Sequence, residues 1–385
     1  MNDSLAYLRT PVAIRERAAK VLKYVQDGQS QWFQLDPNGL ERAVQMTLAV
    51  ARERFPDPAT IPFHSRWRHF ESGGRDRWKA LAERLKHLPA EEIARRRMDL
   101  AVVSVLLDAG AGAAWTYREP GTAETYARSE GLGVASLHMF ANGAFSRDAK
   151  GDPLRVDAER LAQLTPMDIA MGFQVKAHNP LLGLEGRAEL LRRLGNVGLE
   201  RPGAMFDIVA TGAGGGEVKA EVILAAVLDR LSPIWPSPRG DVWEHPVIGL
   251  VPFHKLSQWM SYSLVEPIEG AGLKVVALDA LTGLPEYRNG GLLVDSGALQ
   301  PKQRVLLERS FAPGDEPIVE WRALTVALLD QLAEHVRLHL EMDAAHLPLV
   351  KVLEAGTWFA GRRLAAERRP GGGPPITVES DGTVF

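Results

Sequence analysis

The chain has 385 residues, with 45 lysines and arginines against 48 aspartates and glutamates and a net charge of −3 at pH 7. Without a basic excess, nucleic-acid binding driven by phosphate neutralisation is not expected. Cysteine is absent, which excludes disulfides, thiolate metal ligands and cysteine nucleophiles. No signal-peptide core is visible and no apolar run is as long as a membrane span. We therefore expect a soluble, cytoplasmic protein with neither nucleic-acid nor membrane partners.

Most of the chain shows the spacing of apolar residues that is typical of helices. The first helix is predicted to begin at Pro11 with Thr10 as its N-cap. The predicted helices are 11–25, 40–54, 77–88, 90–107, 157–164, 184–194, 217–231, 254–269, 320–342 and 345–355. The predicted strands are 206–210, 274–278 and 291–295. This pattern predicts a mainly α fold, with a single large helical domain and a few short strands, and argues against a doubly wound α/β fold.

Composition changes along the chain indicate three segments. Residues 1–58 are predicted to form an N-terminal helical layer, and residues 59–365 a helical catalytic domain. The run Arg-Pro-Gly-Gly-Gly-Pro-Pro at 369–375 is typical of a flexible break. We therefore predict a flexible C-terminal tail at 366–385.

Arginines and aromatics are concentrated at 61–77, around His64, Arg66 and His69. A guanidinium group offers a planar pair of donors that suits phosphate, so this segment is a candidate anion-binding loop. The two histidines are five residues apart, a spacing that fits neither one helix face nor a familiar metal motif. A solvated basic loop that packs through its aromatics is the alternative.

A second candidate follows the predicted helix that ends at 107. Asp108 precedes two glycines of the kind that cap helix C-termini, and Trp115, Tyr117 and Arg118 come next. A carboxylate at such a boundary, close to aromatics, could face a pocket.

The glycine-rich run at 210–217 invites comparison with dinucleotide-binding loops. The fingerprint would need a glycine where Glu217 stands, and a carboxylate there would occupy the place of the pyrophosphate. We interpret the run as a flexible connector.

The stretch from 254 to 322 combines acids, cations and aromatics beside apolar runs. Its candidate residues are Lys255, Trp259, Asp279, Glu286, Tyr287, Arg288, Glu320 and Arg322. Such a mixture suits a site that binds a sugar phosphate and breaks a bond at the sugar. The alternatives are a solvated lysine, a core tryptophan and, for Glu320, a capping role favoured by the helix dipole.

Three stretches, 61–77, 106–120 and 126–145, strongly resemble the uracil catabolism protein four family. The last of them contains Glu130 in the run Arg-Ser-Glu-Gly-Leu. Proteins of that family belong to a pyrimidine-degradation route that proceeds through a ribosylated intermediate and releases urea. The resemblance therefore implies a role in uracil catabolism.

A more distant resemblance concerns 180–195, the helix from 254, 281–293 and 320–332. In order and spacing these look like the queuosine-nucleotide N-glycosylase family, which is mostly helical, is similar to DNA glycosylases and removes a base from a ribose 5′-phosphate. The lysine-bearing helix of that family matches Lys255, and its Glu-x-Arg element matches Glu320 and Arg322. Its Asp-Tyr-Arg turn matches 286–288, where this chain has Glu286 in place of the aspartate.

Together the resemblances imply hydrolysis of an N-ribosidic bond in a ribose 5′-phosphate compound, with ribosylurea 5′-phosphate as the expected substrate. The implied catalytic residues are Glu286, Glu320, Asp279 and Asp108. The implied substrate-binding residues are Lys255, Arg322, Arg288, Arg66, His64, His69, Trp115, Tyr117, Arg118, Glu130, Trp259 and Tyr287. We predict no cofactor and no metal, and association with other enzymes of uracil catabolism is expected.

Other functions remain compatible with the residues. One is an amide-bond hydrolase that acts on the ring-opened pyrimidine nucleotide, although neither a nucleophile nor a metal motif is evident. Another is a non-catalytic nucleotide-binding subunit of the same pathway. A phosphoribosyltransferase is disfavoured, because no acidic pair with a phosphate loop follows a strand.

Overall fold

The computed structural model describes residues 3–112, 114–235, 237 and 239–379. Helices dominate and no described strand exceeds four residues, so the predicted mainly α fold with a few short strands is confirmed. Within those ranges, no helix is both long enough and apolar enough to cross a bilayer.

The helices are, in chain order, α1 (Leu5–Leu8), α2 (Pro11–Gln26), α3 (Pro37–Arg54), α4 (Arg66–Phe70), α5 (Arg77–Leu85), α6 (Ala90–Leu106), α7 (Arg128–Ala141), α8 (Ala158–Ala162), α9 (Pro166–Gly172), α10 (Leu184–Leu194), α11 (Met205–Thr211), α12 (Ala220–Arg230), α13 (Lys255–Gly270), α14 (Tyr287–Asp295), α15 (Glu316–Leu340), α16 (Leu349–Val352) and α17 (Trp358–Arg368).

The strands are β1 (Phe33–Leu35), β2 (Thr116–Arg118), β3 (Thr125–Ala127), β4 (Glu217–Lys219), β5 (Val242–His245), β6 (Gly249–Pro252), β7 (Lys274–Val276), β8 (Leu299–Pro301), β9 (Ser310–Phe311) and β10 (Thr377–Val378). They form two-stranded sheets. The pairs β1–β8, β2–β3 and β5–β6 are antiparallel, whereas β4–β7 and β9–β10 are parallel.

The described residues form two compact units. Unit 1 comprises residues 3–64, 241–258 and 277–379, and unit 2 comprises the residues from 65 to 240 and from 259 to 276. The boundaries predicted from composition, at 58 and 365, stay a prediction.

Unit 1 has its core where α2 packs against α15. The side chains of Ile14, Val21 and Val25 recur at helical spacing on α2 and are buried in one apolar cluster with Trp321. The predicted start of α2 is confirmed, since the Thr10 hydroxyl accepts a hydrogen bond from the amide of Ala13. Part of the predicted tail packs here as well, because Ile376 belongs to the same cluster and β10 pairs with β9.

Unit 2 contains α6, whose residues from Met98 to Leu106 are all buried. A helix that is apolar all round is surrounded by protein. The buried acid on this stretch, Asp99, accepts hydrogen bonds from the Arg201 guanidinium and from the amides of Val156 and Gly203. Paired in this way, a carboxylate can be buried without losing hydrogen bonds.

Two of the three predicted strands are wrong. Residues 206–210 lie in α11 and residues 291–295 lie in α14. An apolar run of four or five residues is too short to show the periodicity that distinguishes a strand from a buried helix. The third prediction, 274–278, is confirmed over 274–276 by β7, and residue 278 already lies in a 3-10 turn. The segment 217–231, predicted to be helical throughout, begins with β4.

Helix α17 packs directly on α14 at Gly361, where an added Cβ would lie 2.1 Å from the backbone oxygen of Arg288. We expect Gly361→Ala to lower the free energy of unfolding by about 1–3 kcal/mol, because over-packing forces the backbones apart. Denaturant unfolding followed by circular dichroism measures the change. Gly373→Ala is the control, since a Cβ there meets nothing within 4 Å. Equal stability of the two variants would contradict this account of the packing.

Candidate functional site

His64 and Glu354 form a buried acid–base pair in unit 1. Nδ1 of His64 lies 2.8 Å from Oε2 of Glu354, and the two side chains are 6% and 3% exposed. Arg54 Nη2 binds the other carboxylate oxygen at 2.9 Å. A carboxylate that orients an imidazole is the arrangement used in general acid–base catalysis. Because Nδ1 faces Glu354, Nε2 is the ring nitrogen that could exchange a proton with a ligand.

An irregular turn of the backbone carries Glu354. Residues Leu353–Thr357 form a π-helical turn between α16 and α17. Such turns are rare and occur frequently at functional sites. Gly356 allows the turn to approach α3, because a Cβ there would lie 2.3 Å from the carbonyl oxygen of Thr47. Sequence reasoning missed Glu354, and the available signal was a lone acid with apolar neighbours on both sides.

The start of α14 lies beside this pair. The Arg288 guanidinium stacks 3.6 Å above the ring of Trp358, and that ring lies 5.8 Å from the His64 ring. Arg288 Nε also donates to the hydroxyl of Tyr287 at 3.1 Å. Glu286 is the N-cap of α14, and its carboxylate accepts from the amides of Arg288 and Asn289. The His64 cluster, as we call it, consists of His64, Glu354, Trp358, Glu286, Tyr287 and Arg288.

Two other predicted residues of unit 1 meet at Asp241, which the sequence did not single out. Arg322 donates to both oxygens of Asp241 at 2.7 Å, and the backbone amide of Lys255 donates at 3.1 Å. The Trp243 indole donates to the same carboxylate. Burial opposes ionisation, but the Arg322 guanidinium holds the pKa of Asp241 below its usual value. The hydrogen bond from the Lys255 amide to Asp241 thereby holds the first residue of α13 in position.

Glu320 is fully buried on α15. Its carboxylate accepts from the hydroxyl of Ser30 at 2.6 Å and lies 3.4 Å from Nε2 of His245. Glu316 is close by, and ligand atoms of these two acids and His245 lie within 4.8 Å of one another. The three side chains could therefore hold a metal ion on distance alone.

The hydrogen bonds of His245 favour a different interpretation. Its Nδ1 accepts from the amides of Val247 and Ile248, each at 3.2 Å. A neutral imidazole carries one proton, so that proton must be on Nε2, where it points to Glu320. Metal binding by Nε2 would need the lone pair that this tautomer lacks. A hydrogen-bonded pair with Glu320 fits the geometry better than a metal centre.

We expect nitrogen-15 NMR of the His245 ring to report a proton on Nε2 and none on Nδ1, because two amide donors occupy Nδ1. Addition of Zn²⁺ or Mn²⁺ should leave its signals unchanged. The exposed ring of His346 provides the reference within the same sample. A ring protonated at Nδ1, or a metal-dependent shift confined to His245, would contradict the assignment.

Unit 2 brings five of the predicted residues together, and we call them the Arg66 cluster: Arg66, His69, Asp108, Glu130 and Trp259. Arg66 Nη1 lies 2.9 Å from Asp108 Oδ1, and the Arg66 guanidinium carbon lies 5.5 Å from the centre of the Trp259 ring. The His69 ring meets that ring edge-on at 5.6 Å. Burial lowers the pKa of Arg66, against the attraction of Asp108 and Glu130.

The remaining predicted residues lie elsewhere. Trp115 is fully buried and its indole donates to the carbonyl oxygen of Phe173 at 3.0 Å. Arg118 is exposed on β2. Asp279, in unit 1, accepts from the amide of Leu349 and from the guanidinium of Arg337. None of these contacts, as described, joins Trp115, Arg118 or Asp279 to either cluster.

Tyr117 lies beside a compact ion-pair network in unit 2, with its ring 6.1 Å from that of His138. Glu119 accepts from Arg77 Nε and Nη2 at 2.7 and 2.8 Å and lies 3.1 Å from His138 Nε2. The Arg77 hydrogen bonds, reinforced by His138, lower the pKa of Glu119 to about 2 despite its partial burial.

This shift makes stability depend on pH. The folded-state pKa of Glu119, about 2, lies below the ordinary value of 4.5, so its contribution is complete above pH 4.5 and is lost as the pH falls toward 2. We expect Glu119→Gln to lower the free energy of unfolding at pH 7 by about 3 kcal/mol, with a smaller difference at pH 3. Denaturant unfolding at both values tests this, with the exposed Glu124→Gln as control. A difference that does not change with pH would rule out the linkage.

The structure is that of a mainly α protein in which buried charged side chains meet in the His64 cluster, in the Arg66 cluster and at Asp241. A family model described as protein of unknown function (DUF1688) matches residues 7–385, and the chain belongs to this family. The chain is 39% identical over 400 residues to Protein urg3 of Schizosaccharomyces pombe. It is 37% identical over 442 residues to Uracil catabolism protein 4 of Lachancea kluyveri. Both matches cover the whole of each chain, and the second confirms the predicted family resemblance.

Proposed function

We propose that this chain acts in uracil degradation by hydrolysing the N-ribosidic bond of ribosylurea 5′-phosphate to urea and ribose 5-phosphate. The name of the relative from Lachancea kluyveri supports the pathway. The observation that carries the reaction is the His64 cluster, in which a histidine–glutamate pair, a stacked arginine and a capping carboxylate meet in unit 1.

Hydrolysis of an N-riboside passes through a transition state with positive charge on the sugar ring, as in glycoside hydrolysis. The leaving nitrogen needs a proton, since an amide-like anion departs poorly. In this proposal His64 supplies that proton from Nε2, and Glu354 holds the ring in position through Nδ1. As the C1′–N bond breaks, water adds to C1′ and a proton from that water restores His64. The products are neutral urea and ribose 5-phosphate.

Exposure favours Glu286 over Glu320, the two predicted catalytic carboxylates that match elements of the N-glycosylase family. Glu320 is fully buried and engaged by Ser30 and His245, whereas Glu286 is partly exposed at the start of α14. Two backbone amides fix the position of the Glu286 carboxylate. We assign Glu286 to stabilise the charge on the sugar and to orient the water.

Location and stacking favour one arginine for the phosphate. Arg322 binds Asp241 and Arg66 lies in unit 2, whereas Arg288 belongs to the His64 cluster. Arg288 stacks on Trp358, a packing that presents the edge of a guanidinium to an anion. We assign Arg288 to the 5′-phosphate. Roles for Lys255 and the other predicted residues stay predictions.

We expect purified protein to release urea from ribosylurea 5′-phosphate, and not from UMP. Glu286→Gln should lower kcat by roughly 10²–10⁴, the usual effect of removing one acid or base, while affinity changes little. The exposed Glu308→Gln is the matched control and should keep full activity. Urea is measured enzymatically and ribose 5-phosphate as reducing sugar. Absence of urea at high protein concentration, or near-normal turnover by Glu286→Gln, would contradict the proposal.

A second variant tests the phosphate contact separately. Arg288→Gln should reduce the preference for the phosphorylated substrate over free ribosylurea, because the planar cation is lost. The measurement is the ratio of kcat/KM for the two substrates, and circular dichroism checks that the variant is folded. An unchanged ratio would remove Arg288 from the phosphate site.

A further inference from the structure

The guanidinium of Arg66 is fully buried in unit 2 without using all of its donors. Nε donates to the hydroxyl of Ser104 at 2.6 Å, and Nη1 donates to the carbonyl oxygen of Ser129 at 3.2 Å. Among the described residues, nothing accepts a hydrogen bond from Nη2. A buried charged donor without an acceptor is unfavourable, and an arginine whose only role were structural would be expected to avoid it.

Two other residues of the Arg66 cluster also have polar atoms without a hydrogen-bonding partner among the described residues. Trp259 is 5% exposed, and its Nε1 has no acceptor within the ranges that the structure describes. Asp108 Oδ1 forms an ion pair with Arg66 Nη1 at 2.9 Å but accepts no aligned hydrogen bond from the described chain. The ring of Trp259 lies 5.5 Å from the Arg66 guanidinium carbon. Arg66 therefore contacts both a carboxylate and an indole that have unused hydrogen-bonding capacity.

The segment that carries Asp108 is held in place by a second buried arginine. Arg187 donates to the carbonyl oxygens of Leu107, Ala109 and Gly110 at 3.1, 2.8 and 3.1 Å. Three carbonyls bound by one guanidinium fix the turn on both sides of Asp108. The backbone that carries the Asp108 carboxylate is thus held in position, which is what a binding site requires.

Helix α7 packs closely against the arginine. Gly133 stands where a Cβ would lie 2.8 Å from the Cβ of His69 and 3.5 Å from the Arg66 guanidinium carbon. Any larger residue would press on the cluster. The glycine therefore keeps α7 close while leaving Arg66 and His69 in place.

We propose that the Arg66 cluster binds a ureido group, that is, a planar N–C(=O)–N unit. Its carbonyl oxygen would accept from Arg66 Nη2 and Trp259 Nε1, and one of its N–H groups would donate to Asp108 Oδ1. A phosphate or a carboxylate does not fit, because it would be repelled by Asp108 and Glu130. The inference goes beyond the proposed function, since it concerns binding by unit 2 and holds whether or not the chain hydrolyses a riboside.

The indole proton of Trp259 gives a direct measurement. With nitrogen-15-labelled full-length protein, we expect N-methylurea in the millimolar range to move the Trp259 indole signal downfield, as a new acceptor reaches Nε1. The signal is assigned by its loss in Trp259→Phe. Tetramethylurea has the same carbonyl but no N–H, so it should produce no saturable shift.

Uracil carries the same N–C(=O)–N unit in a ring. A titration with uracil therefore tests whether the site binds cyclic ureides as well as open ones. A saturable shift with N-methylurea or with uracil, absent with tetramethylurea, supports the site. Failure of both ligands, or an equal response to tetramethylurea, overturns it. Asp108→Asn should weaken binding by at least about tenfold, while the exposed Asp207→Asn of unit 2 should not. Because no turnover is measured, a failed hydrolysis assay and a failed titration are distinguishable.

Discussion

Arginines hold this protein together at the points where its helices are interrupted. A guanidinium has five donors in a fixed plane, so it can satisfy several carbonyl groups that a short turn leaves without partners. Arg187 does this for the turn after α6, and Arg15 does it for the carbonyls of Ala280 and Leu281. A chain of short helices without a large sheet has many such turns. Its architecture therefore depends on arginines whose donors bind the backbone carbonyls of these turns.

Arginines also hold the carboxylates that lie beside the residues assigned to function. Arg54 binds the Glu354 carboxylate that faces His64, and Arg322 binds the Asp241 carboxylate that fixes the start of α13. In each case the arginine neutralises an acid whose burial would otherwise be costly. A carboxylate fixed in this way keeps its orientation when a ligand arrives, and a histidine beside it keeps its tautomer.

Local features of the sequence were enough to predict most helices but not the contacts between distant elements. The beginning of α2 follows from Thr10 and Pro11, which act within one turn, and the bounds of α10 follow from its apolar spacing. The runs at 206–210 and 291–295 were too short for their period to exclude a strand, and packing made them helical. Glu286 and Arg288 are neighbours in sequence and could be grouped from it. Glu354 is 290 residues from His64, a separation at which one sequence carries no signal of contact.

Arg187 and Arg66 differ in how many of their hydrogen-bond donors have an acceptor in the protein. Arg187 and Arg66 are equally buried, and both are bound to loops and helices of unit 2. Arg187 directs Nε, Nη1 and Nη2 to backbone carbonyls, which accounts for its burial by structure alone. Arg66 directs Nε and Nη1 to protein groups, and no described residue accepts a hydrogen bond from its Nη2. Since a purely structural residue would gain from losing such a group, an unused donor on a fully buried guanidinium favours a partner that supplies the acceptor.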